Sequence, residues 1–331
     1  MKDSFGRNID YLRISLTDRC NLRCVYCMPE EGVPSVGHDN ILRMEEYARI
    51  VAVAAKMGIR HVRLTGGEPL VRKGCVDLAR TIAQTPGIQT VALTTNGVLL
   101  PAMAQDLKNA GVTRINLSLD TLDAEQYHQI TRRGHLQDAL AGLQAALSTG
   151  FETVKVNVVA IRSLHQDWVS FARLTIDQPL HVRFIEYMPV GNGLTVAGWG
   201  SDDVIPTAQL ITTISDACQE AGLGALQPAD DHRPPGDGPA KYWQLPGAQG
   251  TIGFISSVSD HFCASCNRLR LTADGRIKPC LFSDTEYDVR TAVRSGDEQA
   301  VEDVLAQALS GKPKNHAHRV GTARLMNQVG G

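Results

Sequence analysis

Between residues 11 and 190 the chain repeats one unit: a short apolar, β-branched run, a polar or glycine-rich loop, then an amphipathic segment of helical period. Such alternation constrains the fold strongly, because strands separated by helical crossovers pair in parallel. Six strand candidates stand out, at Tyr11 to Leu16, His61 to Thr65, Thr90 to Thr94, Arg114 to Leu119, Thr153 to Val159 and His181 to Tyr187. Met44 to Met57, Val76 to Thr85, Pro101 to Ala110 and Leu136 to Ser148 read as helices. Gly58, Gly87, Gly111 and Gly150 follow them as stop residues. A closed barrel takes about eight such units. Six predict an α/β chain built as an incomplete (β/α)6 TIM-like barrel, with an opening wide enough for a large ligand unless the C-terminal region covers it.

At 331 residues the chain suits one large domain with an appendage. Residues 1–227 are expected to form the partial barrel. Residues 228–240, running from Pro228 through Pro234-Pro235-Gly236 to Pro239, are too polar and too rich in Pro and Gly to continue either period, and read as a linker or exposed loop. Residues 241–331 show shorter β-like runs and a hairpin signal at Ala273-Asp274-Gly275, which predicts a small appended layer.

A net charge of −2 gives no bulk attraction to nucleic acid or to an anionic membrane, so a polyanionic ligand must be held by a local cluster of Lys and Arg. Met1 to Arg7 lacks a hydrophobic signal core, and no run approaches the roughly 20 apolar residues of a membrane span. A cytoplasmic protein is expected. There thiols stay reduced, so eight cysteines point to metal or redox chemistry rather than to disulfides. Cys75 and Cys218 stand alone and read as small buried hydrophobes. The other six form two arrays, Cys20-x3-Cys24-x2-Cys27 and Cys263-x2-Cys266 with Cys280 beyond it. Structural metal sites normally take four protein ligands, so three thiolates leave one position for a cofactor or substrate. A zinc site completed by a distant His, or a zinc ribbon at the second array, is the plainer alternative.

Function in parallel α/β sheets gathers at the loops after the strands. Here these loops carry the first cysteine array, Thr65-Gly66-Gly67-Glu68-Pro69, Thr94-Thr95-Asn96-Gly97, Ser118-Leu119-Asp120 and Glu186-Tyr187-Met188. Gly66 and Gly67 serve either as turn residues or to let the backbone approach a charged cofactor.

Cys20-Asn21-Leu22-Arg23-Cys24-Val25-Tyr26-Cys27 resembles the signature of the radical S-adenosylmethionine (SAM) enzymes, and Gly66-Gly67-Glu68-Pro69 looks like their second motif. The likeness narrows over nearly the whole chain. Asp3-Ser4-Phe5-Gly6-Arg7, Tyr11-Leu12-Arg13, Met188 to Gly193, Phe262 to Arg270 and the terminal Gly330-Gly331 resemble the molybdenum-cofactor GTP 3′,8-cyclase (MoaA) family. The resemblance implies two 4Fe-4S clusters, one on Cys20, Cys24 and Cys27 with SAM on its open iron, the other on Cys263, Cys266 and Cys280 facing the substrate. It implies cleavage of SAM to a 5′-deoxyadenosyl radical and conversion of GTP to 3′,8-cyclo-7,8-dihydro-GTP, the first step toward molybdopterin.

Carried over residue by residue, the resemblance sets Tyr26, Gly67, Ser118 and Met188 at the SAM site. Arg13, Arg63, Thr94, Lys155, Arg268, Leu269 and Arg270 fall at the GTP site, and Gly330 and Gly331 are implied to enter the active site as a catalytic tail. From the residues alone, Ser118 also suits an ordinary strand-end hydroxyl and Met188 a core side chain. His316 and His318, in a basic stretch from Lys312 to Arg319, read as solvated. Implied partners are GTP, an electron donor (an unknown reductase, or flavodoxin or ferredoxin) and a downstream cyclic pyranopterin monophosphate synthase of MoaC type. Neither nucleic acid nor membrane is expected, and a homodimer is left open. A radical SAM peptide-modifying maturase and a non-catalytic zinc-binding module are the competing functions.

Overall fold

The barrel strands alternate with a period of two, and their two faces differ in kind. In the computed structural model, which describes all residues except 35–36, 189–197, 230, 237, 317–321 and 331, the six expected strands form within two residues of their expected ends. They are β1 (Tyr11–Ser15), β2 (His61–Thr65), β3 (Thr90–Thr95), β4 (Val112–Ser118), β5 (Thr153–Ala160) and β6 (Leu180–Glu186), each paired in parallel with the next. Leu12, Ile14, Val62, Leu64, Leu93, Ile115, Val156 and Phe184 turn outward into one buried core.

Helices cover that apolar face: α1 (Met44–Met57), α2 (Cys75–Ala83), α3 (Leu100–Asn109), α4 (Ala124–Thr131), α5 (Leu136–Thr149), α6 (Trp168–Arg173) and α7 (Thr207–Glu220). Ile50, Val51, Leu78, Ile82, Leu107, Leu143, Phe171 and Ile214 pack onto the strands as the 3.6 period requires. Gly58 and Gly150 cap α1 and α5 in the left-handed conformation, as expected. Gly87 does not cap its helix, which ends earlier on Gln84.

The C-terminal region is not a separate appended layer. It contains β7 (Gln227–Pro228), β8 (Lys241–Gln244), β9 (Thr251–Ile255), β10 (Arg268–Leu271), β11 (Arg276–Lys278), β12 (Tyr287–Asp288), α8 (Val289–Ser295), α9 (Glu298–Ser310) and α10 (Met326–Val329). β9 joins β6 in parallel and β10 joins β1 in parallel, so one 12-stranded sheet runs β12-β11-β10-β1-β2-β3-β4-β5-β6-β9-β8-β7. The expected division at 228–240 therefore falls inside a continuous sheet. β9 and β10 do not pair with each other, and the barrel stays open. No helix among the described residues is long and apolar enough to cross a membrane.

Candidate active site

Hydrogen bonds between strand-end loops lock the first cysteine array onto the barrel rim. Gly67 N–H donates to Thr17 O (2.7 Å) and Glu68 N–H to Arg19 O (2.9 Å), joining the loop after β2 to the one after β1. The structure gives the two glycines a specific reason: a Cβ on Gly66 would lie 2.4 Å from Thr17 O, and one on Gly67 2.3 Å from Arg19 O. The chain's own backbone fills that space, so the close approach is to the cysteine loop. Glu68, fully buried, accepts from Leu70 N (3.0 Å), Thr95 Oγ1 (2.9 Å) and Asn96 N (2.7 Å), which ties in the loop after β3. Burial pushes its carboxyl up to about 7.

Asn96 in turn donates to Asn21 Oδ1 (2.8 Å) and toward Cys20 Sγ (3.7 Å), and Leu22 N–H also points at that sulfur (3.3 Å). Tyr26 OH donates to Asp120 Oδ2 (2.5 Å), while Asp120 Oδ1 accepts from Val159 N (2.9 Å). Burial raises Asp120 to about 6. Trp199 stacks on Tyr26 with ring centroids 6.4 Å apart. Ser118 shares a cavity with Tyr26, Cys24, Asn96 and Asp120. Met188 lies elsewhere, packed with Met326 and Cys280 against Leu281, Phe282 and Val329.

Burial, with the Glu68 charge added, pushes Cys20 up to about 11, and burial reinforced by the neighbouring thiols pushes Cys27 up to about 12 and raises Cys24 as well. As thiolates they need a cation in their midst, which a cationic iron-sulfur core supplies. No three His, Cys, Asp or Glu side chains among the described residues draw close enough to hold a single metal ion.

The second array lies in cationic surroundings. Burial works against ionisation of Cys266, but the Arg268 and Lys312 charges outweigh it and bring the thiol down to about 7. Burial holds Cys263 up. Arg7, paired with Asp3 (2.5 Å), donates to Cys263 O (2.8 Å), Pro313 O (2.7 Å) and Lys314 O (3.1 Å), so the N-terminal Asp3–Arg7 motif clips this array in place. His316 is half-buried rather than fully solvated. Lys312 is buried, and His316 stacks on Phe282 at 4.3 Å because the segment folds back under the array. His318 lies outside the described residues.

Between the arrays, the inner barrel face is a cation-lined chamber. Arg13 is in register with Arg63 on one side and Arg270 on the other. Lys155 pairs across to Asn116 and His181, and Asn157 to Arg183. With Arg114 and Arg268 this makes seven cations on strand positions whose same-face neighbours, such as Tyr11, Thr94 and Asn157, include no carboxylate. Arg63 bonds Tyr11 OH (2.6 Å) and reaches Thr94 Oγ1 (3.4 Å). Leu269 is in register with Leu12, in the outward core, so of the Arg268-Leu269-Arg270 segment the two arginines alone turn inward. Arg114 Nε and Asn116 Oδ1 are buried without a hydrogen-bond partner among the described residues.

The C-terminal tail enters this chamber. Gly330 O accepts from Arg13 Nε (3.1 Å) and Arg270 Nη1 (3.0 Å), and Arg270 also bonds Val329 O (3.0 Å). A Cβ on Gly330, which has φ +70°, would lie 2.3 Å from Thr65 Oγ1, so glycine is required by both conformation and space. Asn327 Nδ2 donates to Asp18 O (2.8 Å) beside the first array. Gly331 lies outside the described residues.

Residues 14–174 match the family model of the radical SAM superfamily, and the parallel, open barrel with a three-thiol loop after its first strand defines a radical SAM enzyme, a class that works with an iron-sulfur cluster and SAM. Residues 180–318 match the model described as Molybdenum Cofactor Synthesis C. The chain is 50% identical to the GTP 3′,8-cyclase of Pelotomaculum thermopropionicum and 48% identical to that of Heliobacterium modesticaldum, over 100% of both chains in each case. It belongs to the GTP 3′,8-cyclase family. Among solved structures, Streptococcus suis SuiB bound to precursor peptide SuiA superposes with TM-score 0.65 at 14% identity, over 93% of this chain and 66% of its own length. Native anSMEcpe with bound AdoMet gives 0.59 at 15%, over 93% of this chain and 82% of that one. At such identities the likeness is one of fold.

Proposed function

We propose that this enzyme cyclises GTP to 3′,8-cyclo-7,8-dihydro-GTP, opening molybdopterin biosynthesis, with Cys20, Cys24 and Cys27 holding one 4Fe-4S cluster and Cys263, Cys266 and Cys280 a second. The observation that carries it is the acid-free cationic chamber between two three-thiol arrays, a fit for a nucleoside triphosphate. When bound, the first cluster and SAM supply the electron and the carbon radical that removes hydrogen from ribose C3′.

The chain's residues supply placement. Arg13, Arg63, Lys155, Arg268 and Arg270 neutralise the triphosphate, with Thr94 fixed by its bond to Arg63. Tyr26 and Ser118, which line one cavity, border SAM; Gly67 and Met188 are assigned to SAM by the family likeness, Met188 packing beside Phe282 and Val329. Arg114 Nε and Asn116 Oδ1, buried and without a partner among the described residues, offer a donor and an acceptor to the nucleotide. The Gly330-Gly331 tail, held through Gly330 O, presents backbone without side chains to the reacting ribose and base. Residues 1–227 carry the radical-forming half and 241–331 the substrate cluster. An external electron donor and a MoaC-type synthase for the product are the partners this chemistry asks for.

Anaerobic reconstitution should give about eight irons per chain and 5′-deoxyadenosine formation that depends on GTP. Cleavage of SAM at the same rate without GTP would overturn the assignment. A peptide-modifying role, the alternative suggested by auxiliary clusters, is set aside by full-length identity to GTP 3′,8-cyclases.

A further inference from the structure

Lys312 is 3% exposed, and among the described residues it forms no ion pair with a carboxylate. Its three donors go to Arg268 O (2.8 Å), Pro279 O (2.7 Å) and the Cys266 thiol. Arg268 lies two residues after Cys266, and Pro279 immediately precedes Cys280. One ammonium thus ties together the two separate segments that carry the second array. Arg7 fixes the Lys312 segment from the other side through Pro313 O and Lys314 O, and grips Cys263 O with the same guanidinium.

A buried ammonium whose partners are two carbonyls and one thiol carries a large desolvation cost with little opposite charge to offset it. Three thiolates around an iron-sulfur core provide that charge. We propose that Lys312 is a positioning residue for the second cluster: it holds Cys266 and Cys280 in place and sets the cluster's reduction potential through its charge. This rests on the assignment of a cluster to Cys263, Cys266 and Cys280 and goes a step beyond it. A fixed cation near the sulfurs favours the more negative, reduced state, so its removal moves the potential downward. The same cation destabilises the stripped protein, so loading the cluster should stabilise the natural chain more than one with an apolar residue at 312.

The test uses the full-length chain, K312M and K312R, reconstituted anaerobically and also stripped of iron. Iron content, the midpoint potential of the second cluster and the rise in Tm on loading are measured. The unaltered chain is expected to bind about eight irons. K312M is expected either to drop to about four, with the SAM-responsive signal of the first cluster intact, or to keep eight with a more negative second potential. In either case its rise in Tm on loading is smaller than that of the unaltered chain, with K312R between them. Equal iron, potential and Tm rise in K312M would overturn the proposal. If K312M loads neither array, K312Q decides: a normal second potential counts against Lys312, a more negative one supports it. Four irons in the unaltered chain would remove the second cluster itself and this proposal with it, whereas eight irons with an unaffected K312M would sink the Lys312 role alone.

Discussion

Lys155 shows how much a single residue's chemistry depends on what the fold brings to it. Burial, with Arg183, Arg63, Arg114 and Arg233 nearby, pushes its ammonium down to about 6 from 10.5. Between those values the unfolded chain holds the extra proton, so the unliganded protein gains stability from this group as pH rises through that window. A triphosphate reverses the local field and draws the proton back. GTP binding at pH 8 should therefore take up about one proton per chain, measurable by calorimetry in two buffers of different ionisation heat. The uptake should vanish near pH 5 and in K155M. Binding without uptake at pH 8 would remove Lys155 from the triphosphate's surroundings. The cysteines and Gly66-Gly67-Glu68 were legible in the sequence because their chemistry is contiguous along the chain. The contacts of Lys312, Arg7 and Asp120 were not, because each acts on a group far away in sequence: Arg268 O, Cys263 O and Tyr26 OH. Nothing in a basic stretch of sequence tells that its first lysine will be buried.

Among elements, the barrel strands could be read to within two residues, since an inward polar and outward apolar alternation leaves a period-two trace. The partners of β9 and β10 left no such trace. A run of four or five residues records that it is a strand, not which strand it will lie beside. The C-terminal tail is a second case, expected from its glycines but with its anchor unseen. Arg324 clamps Asp274 bidentately (3.0 and 2.8 Å) and Glu286 through Nε and Nη2 (2.6 Å each), and Ala323 N–H donates to Asp284 (2.9 Å). This network lies six residues before Gly330 and fixes where α10 begins. Removing such charge-assisted bonds costs about 1.5–3 kcal/mol, so R324A should reduce tail docking roughly 10- to 150-fold. Hydrogen exchange at residues 323–330 should accelerate accordingly while α9 stays protected, and GTP turnover should fall further than SAM binding. Unchanged exchange in the tail would show that the clamp is dispensable.

At the scale of the molecule, the single sheet means that neither segment is complete alone. A chain cut after residue 227 exposes both flanks of the barrel, β1 without β10 and β6 without β9, along rows of unpaired backbone groups. It should aggregate, whereas the full chain should unfold in one cooperative transition. A soluble 1–227 fragment with its own calorimetric transition would show the barrel to be independent. The pairing of β1 with β10 also imposes a schedule. The first strand emerges early in synthesis, and its outer neighbour follows about 250 residues later, on the order of 12–50 s at ribosomal speed. During that interval the nascent chain has a bare strand edge beside three unmetallated thiols. Cellular yield should thus depend on how well chaperones and iron-sulfur delivery cover that wait, as much as on the stability of the finished enzyme.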